Sequence, residues 1–156
     1  MTKLLLLVGI LVLALGCSSD EIPEGKSLDF YSKKAEQCLN NENWKCAAEY
    51  TSVLIKQQPD QAVWYWNRGS AYFELGWKLY YDQDDKDEEY SMLALKDFAK
   101  AIELRELSLD SQDKRDKKLG IIYQRRATLA LHFGYYLEAI EDFYSALHHN
   151  PEDADF

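Results

Sequence analysis

Residues 120–153 decide the fold, and their sequence is GIIYQRRATLALHFGYYLEAIEDFYSALHHNPED. Small residues recur in this stretch at helical spacing, with large apolar and aromatic residues around them. The small ones are Ala127, Ala139 and Ala146, and the large ones are Tyr123, Leu131, Tyr136, Ile140, Phe143 and Leu147. Two helices pack closely where small side chains meet. Gly134 suits a helix C-terminus and Pro151 ends a helix, so the stretch predicts a helical hairpin.

The same pattern occurs elsewhere in the chain. Residues 28–61 carry Tyr31, Ala35, Trp44, Ala47, Leu54 and Pro59 at the spacing of Tyr123, Ala127, Tyr136, Ala139, Ala146 and Pro151. An interrupted copy between them carries Tyr65, Gly69, Ala94, Phe98 and Ala101. Ala35 and Gly69 are 34 residues apart, a period typical of stacked helical hairpins.

The last copy resembles the tetratricopeptide repeat at each position that characterises that family. Those residues are Tyr123, Ala127, Ala130, Tyr136, Ala139, Phe143, Ala146 and Pro151. The first copy carries Tyr31, Ala35, Cys38, Trp44, Ala47, Thr51, Leu54 and Pro59 there, and departs from the family at Thr51 and Leu54. The resemblance implies an all-α, right-handed superhelix of three antiparallel hairpins. The repeats would span about residues 28–61, 62–108 and 120–153.

The middle repeat is longer than the others. Its second-helix residues come 13 positions later than the family spacing places them, which predicts that both helices are extended by about 10 Å. The tip, residues 82–89, holds six acids and one lysine. This composition favours a solvated turn, with a surface for a basic partner or a calcium site as alternatives, although the EF-hand glycine and final glutamate are missing. Residues 108–118 are predicted to be a loop or a frayed helix end.

The N-terminus resembles a bacterial lipoprotein signal. Lys3 precedes an apolar run, residues 4–15, that is too short to span a bilayer but suits a signal peptide. The run ends Ala-Leu-Gly-Cys, which is similar to a lipobox and implies that Cys17 becomes the lipidated N-terminus. The alternative is an ordinary cleaved signal in which Cys17 is incidental. The predicted parts are a signal peptide (1–16), a lipidated flexible tether (17–26) and a repeat domain (27–156).

The lipoprotein resemblance also implies a location. In enteric-type bacteria an Asp directly after the cysteine retains a lipoprotein in the inner membrane, and this chain has Ser18 there. We therefore expect a protein of the bacterial cell envelope, anchored by lipid to the outer membrane and facing the periplasm.

Cys38 and Cys46 are candidates for a disulfide, which is permitted outside the cytoplasm. Each lies four residues from a predicted hairpin turn near Glu42, so they fall opposite each other. The alternative is that both are small buried apolar residues.

The net charge and the absence of catalytic motifs limit the classes of function that the sequence predicts. Without residues 1–16 the chain loses only Lys3, so 17 basic and 27 acidic residues leave a net charge of −10. That balance argues against nucleic acid or an anionic lipid surface as the main ligand. All three histidines lie in the last repeat, and no H-E-x-x-H, G-x-S-x-G, P-loop or dinucleotide motif occurs. We expect no catalytic residues, no metal and no cofactor.

The tetratricopeptide resemblance implies a concave groove lined by the first helix of each repeat. The implied groove residues are Ser32, Glu36 and Leu39, then Trp66, Asn67, Ser70 and Phe73, then Gln124, Arg125, Thr128, Leu131 and His132. Trp66 and Phe73 are candidate apolar anchors for a partner. Some members of that family bind the C-terminal carboxylate of a peptide with Lys and Asn side chains, an arrangement called a carboxylate clamp. Asn67 and Arg125 match two positions of this clamp, but Ser32 and Glu36 stand where the clamp has Lys and Asn.

We therefore expect a membrane-anchored scaffold that binds a protein or peptide in the envelope. Alternatives are an enzyme or enzyme accessory related to peptidoglycan or secretion, an assembly factor for pili or outer-membrane complexes, and a purely structural or antigenic surface lipoprotein. The last helix ends near residue 150 with no helix predicted beyond it. Its outer side must have little apolar surface or must meet another chain, so self-association through it is a further expectation.

Overall fold

A computed structural model describes residues 22–84, 86–108 and 116–151, which form six helices and no strand. The helices are α1 (Leu28–Asn40), α2 (Trp44–Gln57), α3 (Ala62–Asp82), α4 (Asp87–Ser108), α5 (Lys117–His132) and α6 (Tyr136–His149). Each helix packs against the next one in sequence. The predicted architecture of three antiparallel hairpins is therefore confirmed.

Several predictions concern residues outside these ranges. They include the signal peptide, residues 17–21 of the tether with Cys17 among them, one acid of the tip and the central part of the predicted loop at 108–118. Within the described helices, none combines the length and the hydrophobicity that crossing a bilayer requires.

The hairpin turns explain where the helices end. Gly134 lies between α5 and α6 with a φ of 77°, as its position in the sequence predicts. In the turn between α1 and α2 the residue with positive φ is Glu42, at 55°, where a side chain is less favourable than glycine. At the start of α5 the Asp116 carboxylate accepts hydrogen bonds from the backbone N–H groups of Lys118 and Leu119, which begins that helix.

Small residues line the contacts between helices, as the repeat pattern predicts. Ala47, Ala71, Ala94, Ala101 and Ala127 are all fully buried. Gly69 shows why the size matters, because a Cβ atom there would lie 2.9 Å from the ring of Phe98. The close approach leaves room for the large side chains of the core, of which Tyr31, Phe98, Leu54, Leu119 and Leu129 are the largest that are fully buried.

The middle hairpin is extended by helix on both sides. α3 has 21 residues and α4 has 22, whereas α2 and α6 have 14 each. Seven additional residues at 1.5 Å each give about 10 Å, as predicted. We call this extension, residues 76–82 and 87–92, the arm. At its base a Cβ on Gly76 would lie 2.6 Å from Ser91 Oγ, so the two helices are in close contact there.

Two buried ion pairs occupy equivalent positions in the second and third repeats. The guanidinium of Arg68 binds both carboxylate oxygens of Asp97, at 2.7 and 2.8 Å, and Arg126 binds Asp142 in the same way, at 2.7 and 2.6 Å. Asp97 is 3% exposed and Asp142 is 5% exposed. Hydrogen bonding to Asp97 raises the pKa of Arg68 above its ordinary value, although burial opposes that effect. Arg68 also donates to Ser52 Oγ at 3.1 Å, so it connects α2, α3 and α4.

These pairs are not among the features predicted from the sequence. A tyrosine precedes each arginine by three residues, and its ring centre lies 6.0 Å from Arg68 and 5.4 Å from Arg126. In the first repeat Lys34 and Tyr50 stand where the arginine and aspartate would be. In each of the other two hairpins, an ion pair joins the two helices of the hairpin. The first hairpin therefore lacks this ion pair.

The two remaining cysteines join α1 to α2. In the structure Cys38 is bonded to Cys46, and their Cα atoms are 5.8 Å apart, within the range that a disulfide spans. This link lies in the hairpin that has no buried ion pair. Together with the Ser27 and Asn43 N-caps, it fixes the first repeat at the end of the array.

Reduction of this disulfide is expected to lower the free energy of unfolding by about 2 kcal/mol, because the bond closes a short loop of the unfolded chain. Chemical denaturation with and without dithiothreitol measures the difference. The double variant Cys38→Ser/Cys46→Ser serves as a control and should not respond to the reductant. Equal stability of the native chain in both conditions would show that the two thiols are not paired.

Candidate functional site: the concave groove

The groove predicted from the sequence lies between α3 and α5, and Arg125 crosses it. The Arg125 guanidinium carbon lies 5.4 Å from the ring centre of Trp66 and 4.9 Å from that of Phe73. Its Nη1 donates to Glu74 Oε1 at 3.1 Å. Arg125 therefore has a carboxylate partner and two aromatic partners on α3. A carboxylate clamp requires a cationic side chain that is free to bind the carboxylate of a ligand. Arg125 is instead engaged by these partners.

Trp66 and Phe73 belong both to the core and to the groove. Their ring centres lie 5.7 and 6.2 Å from that of Phe98, which is fully buried on α4. Both side chains are half-buried. Phe98 supports the two rings from beneath and Arg125 covers part of them, so they form a fixed apolar floor and are less open than free anchors would be.

Near the start of α3, at Trp66, the groove opens into a pocket of about 380 Å³. We call this the lower end of the groove. Its lining residues are Ala62, Val63, Trp66, Asn67, Arg105, Lys118, Ile121 and Ile122. Asn67 lines this pocket and Arg125 does not, and the wall is otherwise mostly apolar. Arg105 forms an ion pair with Asp116, and this connects the end of α4 to the start of α5 at the mouth of the pocket.

The middle of the groove carries the hydroxyl side chains of Thr128 and Ser70. Thr128 Oγ1 donates to the backbone oxygen of Gln124 at 2.9 Å, one helical turn away. Ser70 Oγ, on α3, is buried and has no hydrogen-bond partner among the residues that the structure describes. A buried hydroxyl without a partner is unfavourable.

Replacement of Ser70 by alanine (Ser70→Ala) is expected to stabilise the chain by about 0.5 kcal/mol, because alanine favours the helix and the hydroxyl loses no bond. Thermal and urea unfolding measure the change. Ser52→Ala is the matched comparison, since Ser52 Oγ bonds to Arg68 and its loss should destabilise. A clear loss of stability in Ser70→Ala would mean that its hydroxyl has a partner in solution.

The upper end of the groove continues onto the arm. The His132 ring centre lies 5.3 Å from that of Trp77 and 4.9 Å from that of Tyr80. Trp77 is in turn 5.9 Å from Phe73. Leu131, beside His132, is 49% exposed. The aromatic floor therefore extends from Phe73 along α3 into the inserted helical turns, and Phe98 of α4 connects it to Trp66.

The sequence analysis did not identify Trp77 and Tyr80 as groove residues. Their spacing contains the signal, because residues 66, 70, 73, 77 and 80 follow the helical period along one face of α3. The first repeat is also predicted to line the groove. Glu36 is exposed, and Leu39 packs against the core formed by α1, α2 and Ala71 of α3.

The group with the largest pKa shift, Tyr123, is not one of the residues that line this groove. Burial raises the pKa of Tyr123, and the hydrogen bond that its hydroxyl donates to Glu106 raises it further. These groups join α4 to α5. Within residues 22–84, 86–108 and 116–151, no three His, Cys, Asp or Glu side chains are grouped so that they could hold a metal ion.

Comparison with known proteins supports the fold. No family profile and no curated protein sequence matches this chain. Among solved structures, the chain is similar to the TPR domain of Arabidopsis OM64, with a TM-score of 0.60, 24% identity, and coverage of 81% of this chain and 85% of that one. It is also similar to the TPR2B domain of yeast Sti1 in a complex with pHsp70, with a TM-score of 0.58, 21% identity, and coverage of 81% and 82%. The chain therefore has the all-α superhelical fold of tetratricopeptide-repeat domains.

Proposed function

We propose that this chain is a lipid-anchored envelope protein whose concave groove binds a polypeptide segment of another envelope protein. The observation that carries the proposal is the aromatic floor on α3, in which Phe98 connects Trp66 to Phe73, Phe73 contacts Trp77, and His132 of α5 contacts Trp77 and Tyr80. Rigid aromatic side chains give a large contact area and lose little conformational entropy on binding.

The length of the floor fits a short segment. Residues 66–80 of α3 cover about 21 Å at 1.5 Å per residue. An extended chain rises about 3.3–3.6 Å per residue, so about six residues of a partner would lie along it. The yeast structural neighbour is in a complex with pHsp70, and this supports the proposal that a polypeptide occupies the groove here.

The charge around the arm favours a cationic, apolar segment. Asp82 and Asp84 follow the exposed Tyr80 and Tyr81, and three further acids begin α4. Two lysines, Lys78 and Lys86, are the cations nearby in sequence. Lysine or arginine side chains of a partner would lie against aromatic faces and near these carboxylates, and such binding weakens as salt concentration rises.

The binding proposal is tested with the groove variant Leu131→Glu, since Leu131 is 49% exposed on the groove. The partner is identified by chemical crosslinking and mass spectrometry in the source organism, and its contacting segment is then synthesised. We expect Leu131→Glu to weaken binding of that peptide at least about tenfold, because the new carboxylate must be buried beside apolar groups.

Leu107→Glu is the matched control, because Leu107 is 77% exposed at the end of α4. It should leave the affinity unchanged. Equal affinities of both variants and the native chain would place the binding surface somewhere other than the groove.

The anchoring proposal is tested separately by metabolic labelling with radioactive palmitate. We expect label in the native chain and none in Cys17→Ser, and we expect the variant to lose its association with membranes. Retention of label by the variant would exclude Cys17 as the modified residue. This result does not depend on whether the groove binds a partner.

A further inference from the structure

Three helices form the pocket at the lower end of the groove. The start of α3 and the start of α5 supply most of its wall, and Arg105 of α4 completes it. The volume of about 380 Å³ lies within the range of about 300–1,000 Å³ that is typical of ligand sites. The pocket is therefore large enough to take a large side chain of a bound polypeptide.

The pocket is apolar where it meets the aromatic floor. Trp66 lines the pocket and also packs against Phe98 as part of that floor. Ile121 and Ile122 of α5 add aliphatic surface, and Val63 is 43% exposed, so the pocket is accessible from solvent. A polypeptide that lies on the floor can therefore place one apolar side chain in the pocket, and the burial of that side chain favours binding.

The charged side chains of the pocket are cationic. Among its described lining residues, Arg105 and Lys118 carry a positive charge and none is acidic. Arg105 forms an ion pair with Asp116, so its charge is compensated. Lys118 is exposed, and within the part of the chain that the structure describes no carboxylate forms a salt bridge with it. The ammonium group of Lys118 is therefore available to an anionic group beside the apolar side chain.

The upper end of the groove has the opposite charge. The arm carries Asp82 and Asp84 beside its exposed tyrosines, and three more acids begin α4. The distance from Trp66 to Tyr80 along α3 corresponds to about six residues of an extended chain. A segment with an acid beside its apolar anchor and basic residues about six positions away matches both ends. The reversed segment would place like charges together at both ends.

We propose that the pocket binds a large apolar side chain of the partner segment and that Lys118 binds an aspartate or glutamate directly beside it. This inference rests on the proposed binding of a polypeptide and adds the register of the segment in the groove. The acidic end of the segment lies at the pocket, and its basic end lies on the arm.

The test uses the chain from Ser18 onward, which retains all six helices, and a random library of twelve-residue peptides displayed on phage. We expect the enriched peptides to share a large apolar residue next to Asp or Glu, with Lys or Arg about six positions away. Enriched peptides without that acidic residue would contradict the register and leave polypeptide binding intact. A chain that enriches no peptide but binds the fatty acid laurate would contradict both proposals and would make the pocket a lipid site.

Charge reversal at Lys118 tests the register directly. Lys118→Glu should weaken binding of the best enriched peptide at least about tenfold, and a peptide with lysine in place of its acid should prefer the variant to the native chain. The variant should fold normally, because Lys118 is exposed and a glutamate is favourable in the first turn of a helix. Lys45→Glu is the matched control, since Lys45 is exposed on α2 and does not line this pocket. Equal affinities of the two variants would overturn the assignment of Lys118.

Filling the pocket tests the apolar anchor. Val63→Trp enlarges a side chain of the pocket wall and should weaken binding of the same peptide at least about tenfold. Leu107→Trp, at a residue that is 77% exposed and does not line the pocket, should leave the affinity unchanged. Native affinity in Val63→Trp, with unchanged circular dichroism and Tm, would show that no side chain of the peptide occupies the pocket.

Discussion

Replacement of Asp97 by alanine (Asp97→Ala) is expected to lower the free energy of unfolding by about 3–5 kcal/mol. Asp97 is 3% exposed and binds Arg68 through both of its oxygens. The variant leaves the Arg68 guanidinium largely buried without its counter-charge, and that group also connects α2 to the middle hairpin through Ser52. A decrease in Tm of roughly 10 °C follows for a chain of this size. Urea unfolding followed by circular dichroism measures the change.

Two controls separate the ion pair from a general effect of losing a carboxylate. Asp29→Ala removes the partner of Lys33 from a pair whose side chains are more than 70% exposed, and it should leave the stability nearly unchanged. The double variant Arg68→Met/Asp97→Leu replaces the pair with apolar side chains and should recover most of the loss. A mild effect of Asp97→Ala, equal to that of Asp29→Ala, would contradict the assigned role.

Replacement of Phe98 by alanine (Phe98→Ala) is expected to destabilise the chain by about 3–5 kcal/mol and also to weaken partner binding. Phe98 is fully buried, and its ring packs against Gly69 where a side chain would otherwise be. The ring also supports both Trp66 and Phe73. Its removal leaves a cavity under the groove floor. Denaturation and peptide binding, both measured well below the variant's Tm, report the two effects.

Tyr81→Ala is the control for Phe98→Ala, because Tyr81 has 78% of its surface exposed and should cost little stability. If Phe98→Ala remains folded and binds the partner peptide with native affinity, the groove floor does not depend on the core beneath it. That outcome would remove the structural basis of the proposed site.

The hairpins could be predicted because they depend on local pattern. Positions such as Ala127 and Ala139 must be small wherever two helix axes approach, so the repeat is visible in the sequence. The 13-residue offset of Ala94 predicted the arm for the same reason, since helix extensions preserve the period of the flanking residues.

The contacts between hairpins could not be predicted in the same way. The contact of Arg125 with Phe73 and Glu74 depends on the angle between α3 and α5, which no residue spacing specifies. Charged residues are usually solvated, so the burial of Asp97 and Asp142 was unexpected. A comparison of charged residues at equal repeat positions would have found both pairs. Arg68 and Arg126 occupy the same position in the first helix of their repeats, and Asp97 and Asp142 occupy the same position in the second helix.

The central claim is that the concave groove, and not the outer surface, holds a polypeptide. It is tested most directly by placing a photo-crosslinking amino acid at Leu131, on the groove, and at Glu49, an exposed residue that lines a separate pocket between α2 and the middle hairpin. Both chains are expressed and irradiated in the source organism, and adducts are identified by mass spectrometry. We predict a polypeptide adduct from Leu131 and none from Glu49, and adducts from Glu49 alone, or from neither position, would contradict the account.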